Sequence, residues 1–343
     1  TLFPYTTLFR SLGGAGPGAP LRRGGFSRCG LFVSRARRLG SGALLLLVIS
    51  TLAYFLVFFS TSNVAMNILG DDATAEMIAQ KNAELGLDRP LLTRYFEWLT
   101  NALQGNLGTS WFTNEAIIDG LANRLPITMT LVLGAIILAA ILATVLGMAA
   151  AVKGGAIDRV VQFLAVAGFA VPGFVVAIFL VTLFAINLAL LPATGWVAFT
   201  DSPANWALSL ILPVASLVLA TVASAAQQIR SAIKSVMDRD WVRTLRSRGI
   251  KPTEILFKHV LRSAAPAGLT VLSLQFVGLL GGSVIIESIF ALPGIGQMAV
   301  QSTSIGDTPV VMGVVVFTVI IVILVNLAVD LINGWLNPKV RVA

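Results

Sequence analysis

Cysteine, histidine and charge are all scarce in this 343-residue chain. With one cysteine, Cys29, and one histidine, His259, neither an internal disulfide nor a Cys/His metal cluster can be assembled. No Gly-Lys dipeptide occurs, so the phosphate-cradling P-loop is missing. Ser231 to Lys234 fits the S-x-x-K pattern of penicillin-binding nucleophiles, but nothing else of such a site accompanies it, and two polar residues on a loop helix account for the match. His259 reads as a surface or packing residue rather than a proton shuttle. Charged residues make up 12% of the chain, where a soluble domain carries about 25%.

Hydrophobic residues fill the gap at 56%, and they come in runs. A helix needs about 20 apolar residues to cross the roughly 30 Å hydrocarbon core while bonding its own backbone. Six runs qualify, at 42 to 60, 127 to 152, 160 to 188, 206 to 227, 266 to 287 and 310 to 335. The fold class predicted is an all-α integral membrane protein with six transmembrane helices. Pro172 falls inside the third span and is expected to bend it by removing a backbone bond. Gly278 and Gly282 form a G-x-x-x-G face in the fifth, which suits close helix approach.

Lys and Arg near span ends stay on the cytoplasmic side. Both termini, the 153 to 159 loop and the 228 to 265 loop share one side and hold 20 of the 24 basic residues. Only Lys81, Arg89, Arg94 and Arg124 lie opposite, in the 61 to 126 segment, beside eight carboxylates. Cytoplasmic N and C termini follow, and topology accounts for the net charge of +8 without nucleic acid. The 61 to 126 segment, with WLTNALQGNLGTSWF inside it, reads as a small external cap of short helices.

The opening TLFPYTTLFRS lacks the charged start and apolar core of a signal peptide and resembles translated adapter read-through. Residues 1–11 are therefore expected to be non-native, and 1–41 a disordered basic lead-in. Mid-membrane ionisable residues, the mark of proton- or ion-driven transport, are almost lacking. Glu287 falls at the outer end of the fifth span and Asp330 near the inner end of the sixth. If the chain transports uphill, another chain supplies the energy.

The charged block at 238–262, DRDWVRTLRSRGIKPTEILFKHVLR, interrupts this greasy sequence. Ile229, Ile233, Met237, Trp241 and Leu245 recur every four residues and predict one helical stripe. Gly249 suits a left-handed cap, Pro252 the first turn of a second helix, and Glu254, Lys258 and Arg262 two i,i+4 pairs. Taken on physics alone, the ridge either enters a groove on a soluble partner, or packs on its own bundle or lies flat at the lipid surface.

The stretch RTLRSRG, Arg243 to Gly249, resembles the cytoplasmic EAA loop of ABC importer permeases, in the form found in the dipeptide and oligopeptide permeases. GLDRPLLTRYFEWL (86–99), GNLGTSWFT (105–113), NRLPITMTL (123–131), LLPATGW (190–196), KHVLRSAAP (258–266), IIESIFALPGIG (285–296) and VNLAVDLINGWLNPKVR (325–341) are similar to that family in order and spacing. The likeness spans about 42 to 341. Leu245 stands where Ala is usual, Arg248 where Lys is common, and Asp72 lies in a departure from L-P-G-D-P that leaves the local turn in doubt.

That resemblance implies a bacterial plasma-membrane permease subunit of an ATP-driven importer for di- or oligopeptides; an ion-gradient-driven secondary transporter is the alternative. It implies no cofactor on this chain, with ATP and Mg on partner subunits. The partners implied are a second homologous permease, two ATP-binding cassette ATPases, an extracytoplasmic binding protein and membrane lipid. Asp240, Trp241, Arg243, Thr244, Leu245, Arg246, Gly249, Ile255, Lys258 and His259 would form the ATPase-coupling loop between the fourth and fifth helices. Trp241, Leu245 and Ile255 would supply apolar contact. Pro172, Gly278, Gly282 and Glu287 would serve packing or the pathway, with no catalytic or metal residue. The division expected is a first span at 42–60, an extracytoplasmic segment at 61–122, a permease core at 123–335 with its loop at 228–265, and a tail at 336–343.

Overall fold

The computed structural model describes residues 28–60 and 64–336. The chain divides into two units, Thr1–Ser41 and Gly42–Ala343. Residues 1–27, including the eleven expected to be non-native, and the tail from 337 lie outside the described residues. The expectation of a disordered lead-in fails for residues 28–41, because helix α1 runs Arg28–Ser60. Between Gly30 and Gly40 the sequence holds no helix breaker, so a helix once formed in the apolar run propagates backward at little cost.

After α1 come three short helices, α2 (Val64–Leu69), α3 (Ala75–Glu84) and α4 (Leu91–Leu103). Thr74 caps α3, accepting the Met77 backbone N–H at 3.3 Å. Short helices do build the 61 to 126 segment, as its composition predicted. An antiparallel bridge, Thr109 with Ala116, closes the loop that follows. Asp307 anchors that loop from afar, accepting the Ser110 hydroxyl at 2.5 Å and the Trp111 N–H at 3.2 Å. Burial pushes the Asp307 carboxyl above the ordinary aspartate range, against the pull of these bonds.

Among the described residues, four helices are long and apolar enough to cross a membrane. They are α5 (Ile117–Lys153), α8 (Pro203–Met237), the run from Pro252 through α11 (Leu261–Ile289), and α13 (Thr308–Leu336). A fifth crossing is broken: α6 (Gly155–Ala170) and α7 (Gly173–Leu180), extended by a π-helical turn at Val181–Asn187, meet at 96°. Pro172 sits at that break as the residue preceding α7. Of the expected first span, Gly42–Val57 is an apolar helix shorter than a crossing requires. Helix α5 starts well before the run expected from 127, so residue 122 falls inside it rather than at a domain boundary.

Periodicity explains which helix faces which. On α5, Leu133, Ile137, Ile141 and Val145 recur every four residues and are exposed, an apolar stripe suited to lipid. A second stripe of small residues, Ala135, Ala139, Ala143 and Gly147, is buried, and helix α5 packs along α8. Small side chains let two backbones approach in a medium where no hydrophobic effect drives them together. At Gly147 an added Cβ would lie 2.7 Å from the Ala226 carbonyl oxygen and 3.1 Å from the Arg230 nitrogen. Gly278 and Gly282, the pair expected to serve close approach, do not serve it here: a Cβ at Gly278 meets nothing within 4 Å, and one at Gly282 meets only Leu217 at 3.9 Å. Polar pairs add to the packing, with Gln275 donating to the Ser224 hydroxyl at 2.8 Å and Ser273 to Asn326 at 2.5 Å.

Because the atoms facing Gly147 are backbone, they cannot rotate aside. Gly147→Leu should cost on the order of 3 kcal/mol, the upper end of ordinary overpacking. Gly134→Ala, whose Cβ meets only the Val214 side chain at 3.6 Å, should be tolerated. Thermal unfolding of the purified chain in detergent checks this, with equal midpoints for the two variants contradicting the close-approach account.

Candidate functional site

Helix α8 delivers the site to the end of the bundle. Ile229, Ile233 and Val236 are buried on it, and the helix ends where the Asp238 N–H donates to the Lys234 carbonyl at 3.1 Å. Arg239 is extended, and α9 (Asp240–Ser247) starts afresh. The expected single helix to Gly249 is therefore two, because Arg239 breaks the register of the four-residue stripe.

Gly249 then performs the turn. Its φ is +75°, the left-handed region that disfavours side chains. The Gly249 N–H donates to the Arg246 carbonyl at 3.0 Å and the Ile250 N–H to the Leu245 carbonyl at 3.3 Å. This is the Schellman pattern, closed by apolar Leu245 and Ile250 in one cluster. Lys251 is extended, Pro252 opens α10 (Pro252–Glu254), and a π-helical stretch at Ile255–Val260 leads into α11. A helix, a glycine turn and a helix is the unit the sequence predicted.

The apolar ridge, however, turns inward. Val242 and Ile255 are buried among Ile229, Ile233, Val236 and Val260, with Trp241 and Leu245 half-buried against them. Ile255, expected to supply contact to a partner, is 3% exposed and cannot do so. Its apolar surface is consumed in joining α9 to α8 and α11. Facing outward are Arg243, Thr244, Arg246, Gly249 and Lys258, while His259 is half-buried. The Asp240–Arg243 pair at 3.9 Å and the Glu254–Lys258 pair at 3.4 Å are exposed, so each contributes under about 1 kcal/mol. The outward surface over 238–262 carries Arg239, Arg243, Arg246, Arg248, Lys251, Lys258 and Arg262 against Asp238, Asp240 and Glu254. In its midst Phe257 is 61% exposed. Phe257 was not among the expected contact residues; it lies two residues after buried Ile255 and three before buried Val260, on the exposed side of the helix.

Two polar knots hold this end and the opposite one; Asp158 was not among the expected residues, whereas Glu287 was, for packing or the pathway. Asp158 of α6 accepts from Arg230, in a paired fork geometry, and from Lys234 at 3.0 Å, binding α6 to the end of α8. Glu287 is fully buried at the end of α11. It accepts the Thr128 hydroxyl at 2.7 Å and the Gln297 N–H at 3.0 Å, while Thr128 accepts the Ile295 N–H at 2.9 Å. The carboxylate thus caps helix α12 (Ile295–Ile305) and ties it to α5. A Cβ at Gly294 would land on that carboxylate, and one at Gly296 would lie 2.9 Å from it, which is why the PGIG stretch carries glycine on both sides of Ile295. Among the described residues, no group of three or more His, Cys, Asp or Glu side chains could hold a metal ion.

With this geometry in hand, comparison with known proteins is direct. The family model for the binding-protein-dependent transport system inner membrane component matches residues 143–342, and the model for its N-terminal region matches 32–132. A putative peptide transport system permease protein of Brucella abortus is 36% identical over 306 residues, covering 89% of this chain and 98% of that one. The glutathione transport system permease protein GsiC of Salmonella choleraesuis is 34% identical over 297 residues, covering 86% and 94%. A chain of the inward-facing MetNI methionine ABC transporter superposes with a TM-score of 0.49 at 19% identity, over 64% of this chain and 96% of that one. Matched over most of its length, the chain belongs to the binding-protein-dependent transport system inner membrane components, the multi-pass permeases of the bacterial plasma membrane.

Proposed function

We propose that this chain forms half of the translocation path of an ATP-driven importer that carries peptides across the bacterial plasma membrane. The observation that carries the reading is the basic helix–turn–helix at 240–262, braced from within by buried Val242 and Ile255 and open on its outer face. A rigid projection at the foot of α8 and α11 is what a soluble motor needs to move those helices as a body. ATP and Mg would sit on two separate ATPase chains, a second homologous permease would complete the path, and an external binding protein would deliver cargo. The names of the Brucella and Salmonella relatives support a peptide, glutathione being one.

Within the docking face, Phe257 takes the apolar role first assigned to Ile255, and Arg243, Arg246 and Lys258 surround it. Gly249 sets the angle between the two helices. The ion-gradient alternative gains nothing from Glu287, whose carboxylate is engaged as a helix cap. In lipid the chain would make six crossings, with α1 the first, its apolar Gly42–Val57 stretch continued by the rest of the helix to Ser60, the broken α6–α7 pair the third, and both termini cytoplasmic.

Reporter fusions after residues 100, 198 and 305 should register outside, and fusions after 155, 245 and 340 inside. A cytoplasmic signal at 100 breaks the six-crossing arrangement.

A Cβ at Gly249 meets nothing within 4 Å, so substitution there is penalised through the backbone alone. A left-handed residue costs about 1–2 kcal/mol for most side chains and less for Asn, enough to shift docking about tenfold. In proteoliposomes holding the complete transporter, peptide uptake coupled to ATP hydrolysis should fall from Gly249 to Gly249→Asn to Gly249→Val, with membrane insertion unchanged. Wild-type rates and complex yield for Gly249→Val would reduce the block to a solvated loop. The chain purified without partners should hydrolyse no ATP, since the phosphate-binding Gly-Lys loop is missing.

A further inference from the structure

Helix α4 carries an apolar face that no other described residue covers. At about 100° per residue, its side chains sort into three sectors. Leu91, Tyr95 and Trp98 turn inward, packing with Tyr54 of α1 and Met312 of α13. Thr93, Glu97, Thr100 and Asn101 form an exposed polar sector. Between the two lie Leu92, Phe96 and Leu103, which are 57%, 58% and 79% exposed, with half-buried Leu99 at their inner border. A helix standing in water has use for the inward apolar sector, but not for a second one left open.

Depth decides what the open sector meets. The Tyr95 and Thr51 hydroxyls share a hydrogen bond of 2.6 Å, and the Tyr95 ring lies 5.2 Å from that of Tyr54 and 6.5 Å from that of Phe55. Thr51 is nine residues short of the α1 end at Ser60, about 13 Å along the helix axis. Met312, in the same cluster, is four residues inside the start of α13 at Thr308, about 6 Å. The middle of α4 is thus set below the ends of two apolar helices, not above them. An in-plane interfacial helix buries its apolar face roughly 5–10 Å into the boundary between headgroups and acyl chains, a range these contacts overlap. Leu52 and Leu56 of α1 are exposed at the same level, so the open sector of α4 continues a surface suited to lipid. The rings of Tyr54, Tyr95 and Trp98 gather there as aromatic residues do at a membrane boundary. A soluble protein could not reach this face without entering the bilayer.

We propose that α4 is an in-plane membrane anchor: its Leu92, Phe96 and Leu103 sector enters the acyl region of the outer leaflet, while Thr93, Glu97 and Asn101 stay in water. The partner is lipid itself. Held there, α4 keeps the loop that follows it over the start of α13, where Asp307 accepts from Ser110 and Trp111. The inference rests on the outward placement of residues 61–126 and not on the identity of the cargo.

Nitroxide labels test it. In a Cys29→Ser background, Phe96→Cys, Leu103→Cys, Thr93→Cys and Asn101→Cys are labelled one at a time in the full chain, in nanodiscs of phosphatidylethanolamine and phosphatidylglycerol. All four positions are exposed, so the labels leave the packing intact. Collision with oxygen, which concentrates in lipid, is compared with collision with nickel EDDA, which stays in water. Oxygen should dominate at 96 and 103 and the nickel complex at 93 and 101, a reversal of sign around the helix that persists in the complete transporter. Dominance of the nickel complex at 96 and 103 would overturn the anchor. Exclusion of both reagents there in the complete transporter would overturn it too, because a protein would then cover the face. A cytoplasmic reporter signal at 100 would remove the outer-leaflet assignment together with the six-crossing arrangement. An external signal with water-exposed labels at 96 and 103 would sink the anchor alone and leave the permease reading standing.

Discussion

Everything at the helix–turn–helix end of the bundle depends on the close approach of α5 to α8 at Gly147. There the two backbones come within the reach of a missing methyl group, 2.7 Å from a virtual Cβ to the Ala226 carbonyl oxygen. Helix α8 is thereby fixed along its length, and its last turns carry Ile229, Ile233 and Val236 into the cluster that holds Val242 and Ile255. Asp158 adds a second fixed point by clasping Arg230 and Lys234 from α6. The helix–turn–helix cannot tilt freely on such a foundation. A push on its outer face moves α8 and α11, which is the mechanical property a coupling element requires.

At the opposite end two buried carboxylates do comparable work. Glu287 joins α11, α12 and α5 through Thr128, and Asp307 joins the α13 start to the loop at 110–111. Each is met by hydroxyl and backbone donors, so directed bonds offset part of the desolvation cost of a carboxylate. Losing one donor leaves the others holding an under-satisfied charge, so such knots favour a single arrangement of the chain.

Much of this was legible from residue patterns. Apolar runs located the four long helices and the broken fifth, because lipid demands long self-bonded helices. Gly249 and Pro252 marked the turn because backbone stereochemistry admits few alternatives there. What stayed hidden depends on contacts between distant residues. The four-residue stripe through Trp241 and Leu245 left open whether a partner or the bundle covers it, because a stripe does not say which body it meets, and the answer was the bundle itself. G-x-x-x-G at 278 and 282 was read as the close contact, while the longer small-residue stripe ending at Gly147 made it. Glu287 and the two glycines beside Ile295 lie in one stretch, IIESIFALPGIG, and only the fold shows the carboxylate filling the space that a side chain at either glycine would need.

The central claim is that the outer face of 240–262 touches the ATPase. Site-specific cross-linking tests it most directly. With Cys29 replaced by Ser, a cysteine at Arg246 or Phe257 in the assembled transporter should form a cross-link to an ATPase chain using a short bifunctional reagent. A cysteine at buried Val242 should not. Cross-linking confined to lipid-facing controls such as Ile141, with none from 246 or 257 in a transport-active complex, would contradict the account.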